Sequence, residues 1–404
     1  VKRSERRILT THTGSLPRRV GMAATLYAQD TGRDHDRAAL AREIKDSVSD
    51  IVRKQLDLGL DIINDGEHSK FNFITYGRMR LGGLGPNPNP VPMMGRSRDS
   101  LAFPQTYAEM ASMNAARSPE VANRRTMPTQ STISIAPITY VGQAEVARDI
   151  ANLNDAVQSK ASLGKTPEDL FLTAISPNNL EFYHRNGYYP TDDQHLQAIA
   201  DAMNVEYRAI VDAGFVLQID DPRMATHYNR VPDASIEDCR KFITQRVEVV
   251  NLALKGIPRE RVRFHTCYSV NIAPRVHDME LRHYLDLMLR INAQAFSFEA
   301  ANPRHDHEWA VWKETKLPDD IILIPGVVSH CVHLVEHPEL VAQRIERYAS
   351  IVGRENVLAS NDCGFATSAA GDEVNTEVAW AKLEALVEGA RIASGRLWPR
   401  SAAA

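Results

Sequence analysis

The chain has 404 residues, 43% hydrophobic and 24% charged, with a formal net charge of −4. This is the composition of a soluble globular protein with a core of normal size, and it gives no reason to expect nucleic acid or an anionic membrane as partner. Four cysteines do not make a disulfide scaffold, and no apolar run approaches the roughly twenty residues of a bilayer span, so the cytoplasm is the expected compartment.

The basic start, 1–7, leads into Ile8-Leu9-Thr10-Thr11-His12 and not into the apolar core of a leader peptide. Short β-branched runs then alternate with longer amphipathic stretches, the rhythm of repeated βα units. Strands are predicted near 8–15, 61–67, 170–176, 215–222, 262–269, 295–301, 321–329 and 357–364. Helical spacing marks 38–58, 195–213, 236–254, 279–292, 338–352 and 375–395, with Asp192 and Ser235 as N-caps for two of them. Eight such units predict an α/β chain, a single-domain (β/α)8 TIM barrel over 1–400. A ninth candidate strand, 133–140, carries Pro137 and is assigned to an excursion instead.

That excursion follows the second strand. Residues 71–130 are rich in Pro, Gly, Asn, Arg and Met, and the inserted region as a whole is expected over 71–160. The Gly/Pro/Asn run of 81–90 reads most simply as a flexible loop; a substrate lid or an oligomer arm, and with it a homo-oligomer, is the sharper alternative.

Polar residues gather where the predicted strands end: Thr13 and Ser15, Glu67, Asp220 and Asp221, His265 and Cys267, Glu299, Ser329 and His330, Asp362 and Cys363. Barrel active sites collect at that face. Alternate residues of a strand share a side, so His265 and Cys267 can grip one ion together. With Glu299 and Cys363 they make a mixed N, S and O set suited to Zn²⁺. Read singly, His265 is equally a satisfied core histidine, and each cysteine a small buried hydrophobe. A thiolate-rich, negatively charged ligand set makes a poor acid for hydrolysing carbonyls. It suits delivery of a thiolate, since a free thiol with a pKa near roughly 8.5 is mostly protonated at neutral pH. Cys239, inside a predicted helix, reads as packing, and Cys331 as an incidental thiol. His305 and His307 read as part of a helix start and not as ligands.

In this order the motifs Thr11-His12-Thr13-Gly14-Ser15-Leu16-Pro17, Asn64-Asp65-Gly66-Glu67, Gln218-Ile219-Asp220-Asp221-Pro222, Phe264-His265-Thr266-Cys267, Phe298-Glu299 and Asp362-Cys363-Gly364 carry a resemblance. The chain resembles the catalytic barrel of cobalamin-independent methionine synthases, their short homologues and the epoxyalkane–coenzyme M transferases. The resemblance implies zinc held by His265, Cys267, Glu299 and Cys363. It implies a backbone clamp at Ser15 for an amino-acid carboxylate, with Glu67 and Asp220 for its ammonium. The lesser alternative for these two carboxylates is a role as structural salt-bridge partners. The implied activity is zinc-dependent transfer of a methyl or other alkyl group to a small thiol, homocysteine first, from methylfolate, methylcobamide or another alkyl donor. Alkylation of coenzyme M by an epoxide is the alternative, and there an anionic tail would want Arg304, Arg223 or the arginines of 71–130. A tetrapyrrole decarboxylase on the same barrel, which needs no zinc, is a further one. His330 or Asp221 is expected to supply or relay the leaving group's proton. The family's tryptophan after the third strand has no counterpart in Leu172-Thr173-Ala174-Ile175-Ser176-Pro177.

Overall fold

Eight short strands run parallel in an order that follows the chain. A computed structural model describes residues 1–19, 21–89, 96–116, 132–161, 164–268, 274–369 and 374–399. In chain order the barrel strands are Leu9–Thr10, Ile62–Ile63, Asp169–Ile175, Val216–Asp220, Val262–His265, Ala295–Glu299, Ile322–Val328 and Leu358–Asn361. From the second strand on, each pairs in parallel with the next in sequence, and the last pairs with the first. The seam between first and second strands is spanned by the Asp61 amide bonding Thr10 O at 3.1 Å and by Thr11 Oγ1 bonding Ile62 O at 3.0 Å. The expected (β/α)8 barrel is the observed one. Only the strands' lengths were overdrawn, because their polar ends leave the ladder to form the mouth.

Strand alternation stacks the barrel interior in layers. At the bottom, Leu9, Ile62, Phe171, Val216, Ala295, Ile322, Ile324 and Leu358 form a dry plug. One step up the interior turns polar. Arg263 is fully buried there, donating to Thr11 Oγ1 at 3.1 Å and His12 O at 2.9 Å with its guanidinium 4.1 Å over the Phe171 ring. One step further, the same faces present Asp220, His265 and Glu299.

The outer helices follow the apolar spacing. Arg37–Leu58 buries Leu40, Ile44, Val48, Ile51 and Val52 on one stripe, starts where Asp36 accepts from the Ala39 amide, and stops at Gly59 with φ 93°. Ser235 caps Ile236–Ala253 with a reciprocal bond to Asp238, and Cys239 is buried within that helix. Thr191, not Asp192, caps Asp192–Asp212. Pro338–Val352 and Thr376–Leu397 complete the ring. The helix expected over 279–292 is a correction: only a 3-10 turn, Leu281–His283, and one helical turn, Leu285–Met288, form there. Met279, Leu281, Tyr284, Leu285, Leu287, Met288 and Ile291 are all buried. Their apolarity reflects burial on every side and not one face of a helix.

The connection from second to third barrel strand holds the excursion. Leu81–Pro86 pairs antiparallel with Thr132–Tyr140, which pairs in parallel with His184–Arg185, giving a three-stranded side sheet. The run 81–90 is therefore partly a strand. Pro137 is tolerated because the ladder breaks between Gly82 and Leu84. A side chain at Gly83, φ 85°, would meet Pro137 O at 2.4 Å. The base is pinned by buried Arg80, 2.7 Å from Asp149 and 3.3 Å from Glu206, while Tyr140 donates to Glu206 at 2.6 Å. Gln143–Ala161 packs between Arg37–Leu58 and Asp192–Asp212 in the outer ring, so the inserted part ends before it. The stretches 90–95 and 117–131 of the expected excursion, and the 401–404 tail, lie outside the described residues. Among the described residues no helix is long and apolar enough to cross a membrane.

Candidate functional site

One side chain from the end of the fifth strand, one from two residues beyond it and one from beyond the eighth meet at the mouth. Ligand atoms of His265, Cys267 and Cys363 all lie within 4.8 Å of one another, and the two sulfurs are 3.3 Å apart. All three residues are buried. The loop carrying Cys363 is fixed by Asn361, whose amide donates to Cys363 O while its carbonyl accepts from the Thr13 amide at 2.9 Å. Glycine is required next to it, since a Cβ on Gly364 would lie 2.0 Å from Ser15 Oγ.

The imidazole of His265 is prepared as a ligand. Burial, with the nearby charges of Arg263 and His330, holds its pKa down to about 3, so the ring is neutral. Nδ1 faces Ser297 Oγ at 3.0 Å, which leaves Nε2 buried and without a hydrogen-bond partner among the described residues. Metal-binding histidines are oriented in this way, one nitrogen held and the other open. The Cys363 thiol is pushed well above its usual range, by its hydrogen bond to Cys267 and by burial. A cation is what would make a thiolate affordable there.

Glu299 does not join that trio. Its carboxylate groups with His330 and Asp362, again within 4.8 Å. Oε1 accepts from the Tyr268 amide at 2.6 Å, Oε2 from Asn302 at 2.7 Å, and Arg275 stands 3.9 Å away. Asp362 Oδ1 takes the Ala300 and Ala301 amides at 2.7 and 2.9 Å; burial and the Glu299 charge push its pKa well up. Gly326 allows this approach: a Cβ there would stand 2.4 Å from Asp362 Cα, and the strand register shifts at that point. His330 Nε2 lies 3.0 Å from Cys331 Sγ.

Opposite this group stand Glu67 and Asp220. Glu67 has φ 60°, the left-handed region that side chains avoid, and it follows Gly66 at φ 65°. Two side-chain turns hold the strained loop, Asn64 Oδ1 accepting from the Gly66 amide at 2.8 Å and Asp65 Oδ1 from the Glu67 amide at 3.0 Å. Thr173 donates to Glu67 Oε1 at 2.7 Å and receives Lys70 Nζ at 2.9 Å. Gln218 donates to Asp220 at 2.7 Å. Burial and the charge of Glu67 push Asp220 well above the usual carboxylate range. A cation placed between these two carboxyl groups would restore the charged form that their confinement disfavours at Asp220.

Two expected site residues are placed elsewhere. Asp221 caps the helix Pro222–Arg230, Oδ1 accepting from the Met224 amide at 3.1 Å and Oδ2 from Asn178. As the neighbour of inward Asp220 it faces the outer side of its strand, so its carboxylate orders the loop and does not address the trio. Arg304 donates to Val276 O at 2.7 Å and lies 3.8 Å from Asp278, on the rim and 40% exposed. Its guanidinium is consumed by a loop. Sequence reasoning missed Arg275, Asn302, Lys70 and Thr173. No spacing pattern marks them, because each enters from a different loop or layer.

The profile of the family described as "Cobalamin-independent synthase, Catalytic domain" matches residues 187–391, half of the chain. A protein named methionine synthase from Saccharolobus islandicus is 25% identical over 56% of this chain; the match spans 58% of that relative's length. One of the same name from Sulfurisphaera tokodaii is 23% identical over 95% of this chain and 91% of its own. The solved structure of a B12-independent methionine synthase from Shewanella sp. W3-18-1 in complex with selenomethionine superposes with a TM-score of 0.68. It covers 97% of this chain and 99% of its own at 17% identity, a likeness of fold. The matched span contains His265, Cys267, Glu299 and Cys363 and the strands that present them, and on that ground the chain belongs to the cobalamin-independent synthase catalytic-domain family.

Proposed function

We propose that this chain moves a methyl group onto the sulfur of a small amino-acid thiol, with homocysteine the acceptor that fits best. One observation carries the reading: His265, Cys267 and Cys363 converge at the barrel mouth with the His265 Nε2 buried and unclaimed. Family membership and the name shared by its relatives point the same way.

The trio fits zinc, which takes imidazole and thiolate together, and not magnesium or calcium, which want oxygen. His265, Cys267 and Cys363 would hold it, and Glu299, which stands beside the trio in the group with His330 and Asp362, would be the exchangeable fourth ligand. A zinc ion bound there would supply the positive charge that lets an incoming thiol shed its proton while its sulfur stays nucleophilic.

The remaining work falls to the chain. Glu67 and Asp220 offer a carboxyl pair to the acceptor's ammonium, whose charge would favour the ionised form that burial disfavours at Asp220, and Thr173 with Lys70 keeps the Glu67 carboxylate aimed. The Gly14-Ser15 turn beside Gly364 offers its backbone to the acceptor's carboxylate. In the transfer a sulfur–carbon bond forms and the donor–carbon bond breaks, and the thiol's proton ends on the departing donor. His330, buried against Glu299 and Asp362, is the group suited to relay it. Confinement of donor and acceptor in line supplies much of the rate.

Purified protein is expected to hold about one zinc per chain. Adding homocysteine should add a sulfur neighbour to the metal in X-ray absorption, with cysteine and coenzyme M as comparison thiols. A zinc-loaded protein whose spectrum none of the thiols moves would end this reading. Turnover with methylfolate, methylcobamide or an epoxide then identifies the donor. Glu67→Gln should raise the homocysteine KM by roughly 10-fold or more, through loss of a charge-assisted hydrogen bond, with zinc content unchanged.

A further inference from the structure

Three arginines crowd one benzene ring on the loops beside the barrel mouth, and none has a counterion among the described residues. Phe182 lies in the helix Pro177–Tyr183, which follows the third barrel strand. The guanidinium carbon of Arg223 is 3.9 Å from its ring centroid, and those of Arg185 and Arg230 are each 5.5 Å away. Arg185 and Arg230 are therefore within about 10 Å of Arg223, the Debye length at 0.1 M salt, so their charges repel with little screening.

Among the described residues no ion pair offsets this repulsion; the charge of Glu181 and the Tyr183 hydroxyl offset it only in part at Arg223. None of the three makes an ion pair within 4.0 Å among the described residues, and Glu181, whose charge reaches Arg223, is taken by Arg246 at 3.3 Å. Arg223 Nη1 is buried with no hydrogen-bond partner among the described residues. Arg223 also sits in the first turn of Pro222–Arg230, where the helix dipole disfavours a cation. Burial, Arg230 and Arg185 together hold its pKa down to about 9. A cation–π contact engages the face of a guanidinium but leaves its five N–H donors to find acceptors.

We propose that Arg185, Arg223 and Arg230, gathered around Phe182, bind a small molecule carrying at least two negative charges, either a phosphate monoester or a pair of carboxylates. The site stands in the loops after the third and fourth strands, on the same C-terminal face as the sulfur trio, with Arg223 three residues beyond Asp220. It is suited to hold the anionic tail of a donor or acceptor whose reactive end reaches the mouth. That role rests on the alkyl-transfer reading; the binding itself does not. All four side chains are half-buried, which favours a small ligand over a flat acidic protein surface.

Calorimetric titration of the metal-loaded full chain with inorganic phosphate and with tricarballylate, against sodium chloride at matched ionic strength, tests the site. Saturable binding of at least one anion is expected, weakened about 10-fold by Arg223→Gln and less by Arg223→Lys, which keeps the charge but not the planar fork. Binding of phosphate alone identifies a phosphate monoester, and binding of tricarballylate alone a polycarboxylate. No saturation of either below about 10 mM, or a Kd that Arg223→Gln leaves within about 2-fold, overturns the proposal. Should Arg223→Gln fail to fold, Arg230→Gln at the helix end carries the same test. Anion binding by a protein that holds no zinc would end the alkyl-transfer reading and leave this site standing; zinc binding without anion binding would do the reverse.

Discussion

The sulfur trio and the carboxylate group beside it are both buried at one barrel mouth, yet they differ in what is left unsatisfied. His265 Nε2 has no partner, and the two thiols have chiefly each other. Both Glu299 oxygens are held, by a backbone amide and an asparagine, and Asp362 Oδ1 takes two backbone amides, while Asp362 Oδ2 has no hydrogen-bond partner among the described residues. A buried polar atom without a partner costs about 1–3 kcal/mol, and at His265 Nε2, beside two thiols, a metal ion would recover that cost. A carboxylate already held by backbone donors is oriented and can come and go without collapse of its surroundings. The contrast separates fixed ligands from an exchangeable one.

The largest expected effect lies in the trio. Cys363→Ser should cut bound zinc from about one per chain to under roughly a tenth, measured by metal analysis after gel filtration, because the site loses a thiolate that nothing else supplies. Retention of full zinc would erase the distinction between the two regions. Next, Glu299→Gln should weaken zinc about 10- to 100-fold in competition with a chelator, while still filling at saturating metal. If it empties the site as completely as Cys363→Ser, the carboxylate is as permanent a ligand as the sulfurs.

The smallest effect probes the support behind Glu299. His305 stacks on Tyr268 at 3.7 Å, and it is the Tyr268 amide that donates to Glu299. Burial pulls the His305 pKa down, but hydrogen bonds to Asp278 and Glu308 outweigh it and push it up to about 9, against an ordinary 6.5. Its stabilisation is therefore present in full below pH 6.5 and fades as pH rises through 9. His305→Gln should cost about 1–2 kcal/mol of unfolding free energy at pH 6 and little at pH 10. Equal losses at both pH values would mean that packing, and not charge, holds that wall.

Much of this was legible along the chain. The apolar alternation located all eight barrel strands, because a parallel strand buried on both faces must be continuously apolar until it reaches the mouth. The same rule located the polar strand ends, and so His265, Cys267, Glu299 and Cys363. It misread 279–292, where residues buried on all sides imitate a helical stripe, and 81–90, where Gly and Pro accompany a strand with a break in its ladder. It also read Asp221 and Arg304 as functional groups when local hydrogen bonds consume both.

The sequence by itself determined the barrel, its catalytic face and the residue types offered there, since periodicity and strand ends are local properties of the chain. Only the tertiary structure decided which of those residues meet. It brought the Cys363 thiol against that of Cys267, grouped Glu299 with Asp362 and His330, and gathered three arginines around Phe182 without an ion pair among the described residues. Contacts between residues a hundred positions apart depend on how the sheet closes and which backbone groups are left to satisfy, and neither is written in any single stretch of sequence.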